Sequence, residues 1–110
     1  MRGEAKMKYY HVCTKWDGNN LESLYKQHGE DAYEIFATRW PEAGDLAQYH
    51  VNVIHLHANL SDAEDFCGEF GGEILVISDP NGEIDVKNDT LEYAHPVVYG
   101  EIVAEYINVL

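Results

Sequence analysis

Two kinds of apolar spacing alternate along this chain of 110 residues. Strand-length runs rich in β-branched and aromatic residues occupy segments 8–14, 50–57 and 73–78. Helical spacing, with apolar residues three and four apart, occupies segments 20–29, 30–40 and 61–70. The chain therefore carries both patterns. We predict an α+β fold, in which helices pack on a mostly antiparallel sheet.

Residues with strong local preferences mark the ends of the predicted helices. Gly29 suits the position that follows the last residue of the first helix, and Pro41 ends the second. Ser61 and Glu64 have the spacing of a capping box, in which each side chain bonds the backbone N–H of the other residue. A third helix is therefore predicted to begin at Ser61.

The C-terminal part of the chain predicts strands and turns. The sequence Asp-Pro-Asn-Gly at 79–82 favours a turn. Segment 83–87 is the predicted hairpin partner of the strand that precedes this turn. Segment 97–110 is apolar and rich in β-branched residues, which predicts one or two final strands.

Length and composition predict one small domain over 1–110. A chain of this length fits a single domain, and its 45% apolar content is enough to form a core. The charged segment 1–7 is predicted to be a disordered tail. No internal repeat, linker or low-complexity segment divides the rest.

A large acidic excess limits the partners of this chain. It has 20 acidic and 7 basic residues, and its net charge is −13. Arg2 and Arg39 are its only arginines. Because phosphate contacts need Lys or Arg, the charge opposes direct binding to nucleic acid or to anionic lipid. It favours a basic protein partner instead, and the acids of the third helix are the candidate contacts, namely Asp62, Glu64, Asp65 and Glu69.

The cysteines and the lack of a targeting signal predict a cytoplasmic protein. Cys13 and Cys67 are too few for a disulfide framework, and we expect both to be reduced. The N-terminal segment has no apolar run of signal-peptide length, and no window has the length of a membrane span.

Two histidines at strand spacing are the candidate metal ligands. His55 and His57 are two residues apart, so a strand would place them on one face. The same alternation predicts His50 on the opposite face, which leaves no third ligand. Packing at a strand edge is therefore preferred to a metal site. His95, which precedes a proline, is predicted to lie in a loop.

The order of several short motifs resembles the ADP-ribosyltransferase superfamily, in particular its compact branch of RNA 2′-phosphotransferases and DNA-modifying toxins. The motifs are YHVCT at 10–14, LESL at 21–24, IHL at 54–56, GGEILVI at 71–77 and IVAEYI at 102–107. The resemblance implies an ADP-ribosyltransferase-like fold with NAD as cofactor. It implies that His11 contacts a ribose, that Tyr49 stacks on nicotinamide, and that Glu101 or Glu105 fills the late acidic position.

The charge balance argues against turnover of NAD by such a fold. NAD carries an anionic pyrophosphate, and the sequence has neither a glycine-rich loop nor a basic cluster to receive it. We therefore favour a small acidic binding protein without a cofactor, which blocks a basic nucleic-acid-handling protein as a phage anti-defence inhibitor or a toxin-immunity protein would. A NAD-dependent ADP-ribosyltransferase that uses His11 and a late glutamate is the alternative. A histidine-based metal-binding domain is the third.

Overall fold

The computed structural model of the chain describes residues 7–39, 41, 50–79, 82–87 and 95–110. Segment 1–6 of the predicted tail lies outside these ranges. Met7, which was predicted to belong to that tail, is the first residue of a strand. The strand begins there because Met7 pairs with Asp79 of a neighbouring strand.

Antiparallel strands and three α-helices form the described part of the chain. The strands are β1 (Met7–Cys13), β2 (Leu21–Glu22), β3 (Ile54–His55), β4 (Glu73–Asp79), β5 (Val86–Lys87), β6 (Val97–Val98), β7 (Glu101–Ile102) and β8 (Ile107–Val109). The helices are α1 (Leu24–His28), α2 (Asp31–Arg39) and α3 (Leu60–Phe70), and a 3-10 helix spans Ala104–Tyr106. Every pairing of the named strands is antiparallel. The predicted α+β class is therefore confirmed.

The longest strands, β1 and β4, pair along their whole length. Their pairing ends with Cys13 opposite Glu73, and β8 lies along the other edge of β4. Leu75 and Ile77 of β4 are fully buried on one face. β4 is thus the central strand of this sheet, which agrees with its predicted run of apolar residues.

A second sheet, in the order β3–β6–β5, lies next to the outer edge of β1. The backbones of Tyr10 and His57 exchange two hydrogen bonds of 2.8 and 2.7 Å, which tie β1 to the segment that follows β3. The short strands β2 and β7 form a separate pair. One core joins these elements, and its buried residues are Tyr9, Leu21, Ile54, Leu56, Leu75, Ile77, Val98, Ile102 and Ile107.

The first predicted helix is shorter than expected. The spacing over 20–29 predicts one helix, but Leu21 pairs with Ile102 in β2 and β7. Ser23 then caps α1, since its Oγ accepts a hydrogen bond of 3.2 Å from the backbone N–H of Lys26. The prediction was wrong at this end because strand pairing with a distant segment outweighs the local helical spacing. The end at Gly29 is confirmed.

The other two helices lie close to their predicted ranges. In α2 the stripe residues Ala32 and Phe36 are buried, as their spacing predicts. The predicted capping box of α3 is wrong, because the helix begins at Leu60 and its cap is Asn59. The Asn59 amide donates to the Asp62 carboxylate at 3.3 Å rather than accepting from the helix backbone.

Two strand predictions also need correction. Within the predicted strand over 50–57, residues 51–53 form a turn and only Ile54 and His55 belong to β3. Segment 83–87 was predicted to pair with the preceding strand, but β5 pairs with β6. β4 already has β1 and β8 on its two edges, so neither edge is open to β5.

The described helices are all short. None of them has the length and apolar content of a membrane-spanning helix.

Candidate functional site

The histidines of this chain gather around one cleft. A cavity of about 970 Å³ lies between the end of β1, the helices α1 and α2, and the segment that contains β3. Its lining includes six histidines, namely His11, His28, His50, His55, His57 and His95. These are all the histidines of the sequence. A volume of this size suits a ligand of drug or nucleotide size.

His11 of β1 lies in the cleft with a fixed orientation. Its Nδ1–H donates a hydrogen bond of 2.7 Å to the backbone carbonyl of His55. A carbonyl oxygen can only accept, so the proton of the neutral ring lies on Nδ1 and Nε2 carries a lone pair. Within the described residues, Nε2 makes no hydrogen bond. Since His11 lines the cleft, Nε2 is the ring atom that can accept a hydrogen bond from a donor there.

Three other histidines contact one another in a row. Nε2 of His55 lies 3.3 Å from Nδ1 of His50, and Nδ1 of His55 lies 2.6 Å from Nε2 of His95. The His50 ring also stacks on Phe36 of α2, with 5.4 Å between ring centroids. The row runs from α2 to the residue two before β6.

This row corrects the predicted orientation of His50. Alternation along a strand was expected to place it on the face opposite to His55. Because residues 51–53 form a turn, the alternation does not extend to His50, and the chain folds back to bring the two rings together. The loop predicted around His95 brings that residue into the same row.

Burial keeps these imidazoles neutral. It is the largest cause of the lowered pKa of His55, which falls to about 3, and the charges that His95, His50 and His11 would carry lower it further. Burial also lowers the pKa of His50 and of His95, and the other histidines add to the effect on His95. At neutral pH each ring therefore has one N–H donor and one bare nitrogen.

The pKa values of His11 and His57 are also lowered, and the neighbours of these two residues differ. Burial lowers the pKa of His11, against its hydrogen bond to the His55 carbonyl, and the nearby His57 lowers it further. Burial also lowers the pKa of His57, while the Asp62 carboxylate acts in the opposite direction. The His57 ring packs against Phe66 of α3, with 5.4 Å between centroids.

The cleft does not form a metal site from the residues that the structure describes. Within those ranges, no three His, Cys, Asp or Glu side chains are placed to hold one ion. His50 Nδ1 and His55 Nε2 have a separation compatible with two ligands of a tetrahedral ion, but His95 lies on the other nitrogen of His55. His55 and His57, the predicted pair, both line the cleft.

The glutamates implied by the resemblance lie away from His11. Glu101 lines a second, smaller cavity of about 350 Å³ and pairs with Lys26 at 3.6 Å. Glu105 is exposed in the 3-10 helix. Neither belongs to the lining of the histidine cleft. Tyr49 lies outside the described residues.

The cleft has little positive charge. Lys15 is the one Lys or Arg among the residues described in its lining, which also contains Asp17 and Glu22. Trp16 adds an aromatic ring beside them. This composition suits a ligand that is neutral or cationic better than one that carries several phosphates.

The four predicted partner-binding acids form an exposed row on α3. Asp62, Glu64, Asp65 and Glu69 are all exposed. Ala63 of the same helix is fully buried. The helix therefore turns its carboxylates to solvent and its small apolar residue to the core.

Sequence reasoning missed the row of three histidines. His95 is 40 residues from His55 along the chain, and no local pattern links them. The sequence did contain one signal of a histidine cluster, which is the high proportion of this residue type: six histidines in 110 residues.

Comparison of the chain with protein-family models, with curated proteins and with solved structures finds no match in any of the three. The resemblance to ADP-ribosyltransferases therefore stays a prediction.

Proposed function

We propose that this protein binds a ribose-containing small molecule in the histidine cleft. The observation that carries the proposal is the state of His11, which lines the cleft and whose Nδ1–H donates to the His55 carbonyl, so that Nε2 is the acceptor of its ring. A sugar hydroxyl is a suitable donor to such a nitrogen. The resemblance stated above supports ribose as the sugar, since it implies the same contact for His11.

The same geometry favours binding over turnover. Catalysis with a late glutamate would need that carboxylate beside the ligand, but Glu101 and Glu105 do not line the cleft. Lys15 is the one basic side chain described there, and the net charge of the chain is −13. A ribonucleoside fits this field better than a dinucleotide with its pyrophosphate.

Two substitutions of His11 distinguish the roles of its two ring nitrogens. In His11→Asn the amide NH₂ takes the place of Nδ1 and keeps the bond to the His55 carbonyl, but the acceptor at the Nε2 position is lost. We expect this variant to bind nicotinamide riboside and adenosine about tenfold more weakly, because a ligand hydroxyl loses its partner. In His11→Gln an amide oxygen can replace Nε2, and we expect a smaller loss. Isothermal titration calorimetry gives both values.

A control and a rank order complete this experiment. Glu105→Gln changes an exposed residue of the 3-10 helix that does not line the cleft, and it should leave the affinity unchanged. Both nucleosides should bind more tightly than NAD. Tighter binding of NAD, or equal affinities of the wild type and His11→Asn, would refute the proposal.

A second candidate function follows from the row of acids on α3. We propose that this face binds a basic protein of the nucleic-acid-handling class, whose inhibition would fit an anti-defence or toxin-immunity role. The support is the exposure of all four carboxylates on one helix together with the large negative charge of the chain. Such a contact speeds association at low salt and weakens as salt is added.

Neutralising the α3 row tests this second function. The variant carries Asp62→Asn, Glu64→Gln, Asp65→Asn and Glu69→Gln, and the control neutralises four exposed acids elsewhere, namely Glu30, Asp31, Glu34 and Glu105. We expect the α3 variant to bind a fluorescent polyarginine peptide about tenfold more weakly at low salt, and the control to bind more tightly than the α3 variant. Equal losses in the two variants would show that the peptide responds to net charge alone.

A further inference from the structure

We propose that the His11 imidazole is a wedge that holds β1 and the segment 54–57 apart at the cleft. Without the wedge, the cleft narrows because Val12 and His55 form the next pair of the ladder that joins these two stretches of chain. The inference goes beyond the proposed ligand, since it concerns the backbone on the two sides of the cleft and holds whether or not a nucleoside binds.

The backbone hydrogen bonding between β1 and this segment stops after one residue pair. Tyr10 and His57 exchange two backbone hydrogen bonds, of 2.8 and 2.7 Å. In an antiparallel ladder the next pair of this kind lies two residues further along, which here would be Val12 with His55. No hydrogen bond joins the backbones of Val12 and His55 in the described part of the chain. Both residues line the cleft, so the cleft opens where the ladder ends.

Val12 directs its backbone N–H and C=O away from β4. Both backbone groups of Tyr10 point to His57, and alternate residues of a strand direct these groups to the same side. The neighbour of Val12 in β4 is Ile74, whose carbonyl accepts a bond of 3.0 Å from Leu110 on the opposite edge. β4 therefore uses neither backbone group of Val12. Within the described residues, neither group has a hydrogen-bond partner.

His55 directs its backbone carbonyl toward β1. The next residue, Leu56, donates a backbone hydrogen bond of 2.9 Å to Pro96, on the side of β6. Because successive residues of a strand alternate in this respect, the backbone groups of His55 point to the other side. His57 points the same way as His55, and it bonds β1. The Val12 N–H and the His55 carbonyl thus belong to edges that face each other.

The His11 ring supplies the donor that the ladder does not. Its Nδ1–H donates a bond of 2.7 Å to the His55 carbonyl. In a strand the side chain stands out of the plane that contains the backbone groups, so this bond has a different direction from one made by the Val12 N–H. The ladder stops at this point because the ring, rather than the backbone of β1, bonds the carbonyl.

The His55 carbonyl can change its donor without loss of a hydrogen bond. In the open arrangement it accepts from His11, and in the narrowed arrangement it accepts from Val12. Loss of the imidazole removes the first donor, and backbone groups shielded from solvent are rarely left unpaired in proteins. Extension of the ladder by one pair satisfies both edges. His11 is thus a positioning residue, which sets the width of the cleft through the His55 carbonyl.

NMR spectroscopy of the protein without ligand tests the wedge, through the scalar coupling across a hydrogen bond between an amide nitrogen and a carbonyl carbon. In the wild type we expect no coupling between Val12 and His55, and exchange of the Val12 amide proton about tenfold or more faster than that of Tyr10. In His11→Ala we expect this coupling to appear, and exchange of the Val12 amide proton to slow by about tenfold or more.

His11→Asn is the matched control, because it removes the ring but keeps an N–H donor at the position of Nδ1. We expect no coupling between Val12 and His55 in this variant, and exchange of the Val12 amide proton at the wild-type rate. The coupling between Tyr10 and His57 should be present in every variant, which shows that the folded junction is intact. A difference between the two variants therefore reports the donor rather than loss of the ring alone.

A second variant serves if His11→Ala fails to fold. His11→Val also lacks a donor, and its β-branched side chain favours a strand, so we expect the same new coupling. A coupling between Val12 and His55 in the wild type or in His11→Asn would overturn the proposal. Its absence from every folded variant that lacks a donor at this position would do the same.

Discussion

The protein is expected to lose stability steeply as the pH falls from about 6.5 to about 4.5. Five of its histidines, those at 11, 50, 55, 57 and 95, have a lowered pKa in the folded chain, with burial as the main cause. In the unfolded chain each returns to its ordinary pKa of 6.5. The unfolded state therefore binds protons first, and its free energy falls relative to the folded state.

The sign and size of this effect follow from the linkage between proton binding and unfolding. The contribution of each histidine is complete above pH 6.5 and is lost as the pH falls below it. His55, whose pKa falls to about 3, accounts for a loss of about 3 kcal/mol at pH 4.5. Small domains have a total stability of about 5–15 kcal/mol. The other four histidines act in the same direction, so we expect a large part of the stability to be lost in mild acid.

Relief of repulsion among the carboxylates acts in the opposite direction but at lower pH. In an unfolded chain, carboxylates take up protons mainly at about pH 4. As the pH falls, the stability lost through the histidines is therefore lost first. We expect no recovery of stability between about pH 6.5 and about pH 4.5.

Urea unfolding, followed by tryptophan fluorescence over this pH range, measures the effect. In His55→Phe the free energy of unfolding should depend less steeply on pH, by up to about 1.4 kcal/mol per pH unit. A free energy of unfolding that stays level or rises as the pH falls through the window would contradict the expectation.

Substitution of Gly72 is expected to have the largest effect of any glycine change at the end of α3. Gly72 has a φ of +108°, and a Cβ there would overlap the backbone carbonyl of Cys13. Because Cys13 is held by its pairing with Glu73, the overlap has no flexible side chain to absorb it. We expect Gly72→Ala to lower the free energy of unfolding by about 3 kcal/mol or more.

Two neighbouring glycines provide matched controls. Gly71 also has a positive φ, of +81°, but a Cβ there would meet nothing within 4 Å, so Gly71→Ala should cost only about 1 kcal/mol. Gly68 lies inside α3 in open space, and Gly68→Ala should stabilise the helix by up to about 1 kcal/mol. Urea midpoints in any other order would show that the close approach of Gly72 to β1 does not limit stability.

The spacing of apolar residues along the chain was sufficient to predict the longer helices and strands. The apolar runs of β1 and β4, and the helical stripes of α2 and α3, predict those elements within one or two residues, because each buries one face through its own periodicity. It failed for short elements. Leu21 has helical spacing toward Leu24, yet it pairs with Ile102 in a strand because that distant partner outweighs the local preference.

The candidate site was predictable only in part. The motif at 10–14 singled out His11, and the structure places it at the cleft. The contact of His50 with His55 depends on the turn over 51–53. The sequence predicted a strand there instead, because this segment contains two valines. His95 reaches His55 only because β6 pairs with β3.

The amino-acid sequence alone determined the charge of the surface, the α+β class and the number of histidines, because these depend on composition and on spacing between near neighbours. The tertiary structure decided which histidines meet, which nitrogen of His11 bonds the His55 carbonyl, and that Glu101 lies outside the lining of the cleft. The physical reason is that each of these depends on pairing between strands that are far apart in the chain, and residue spacing contains no record of that pairing.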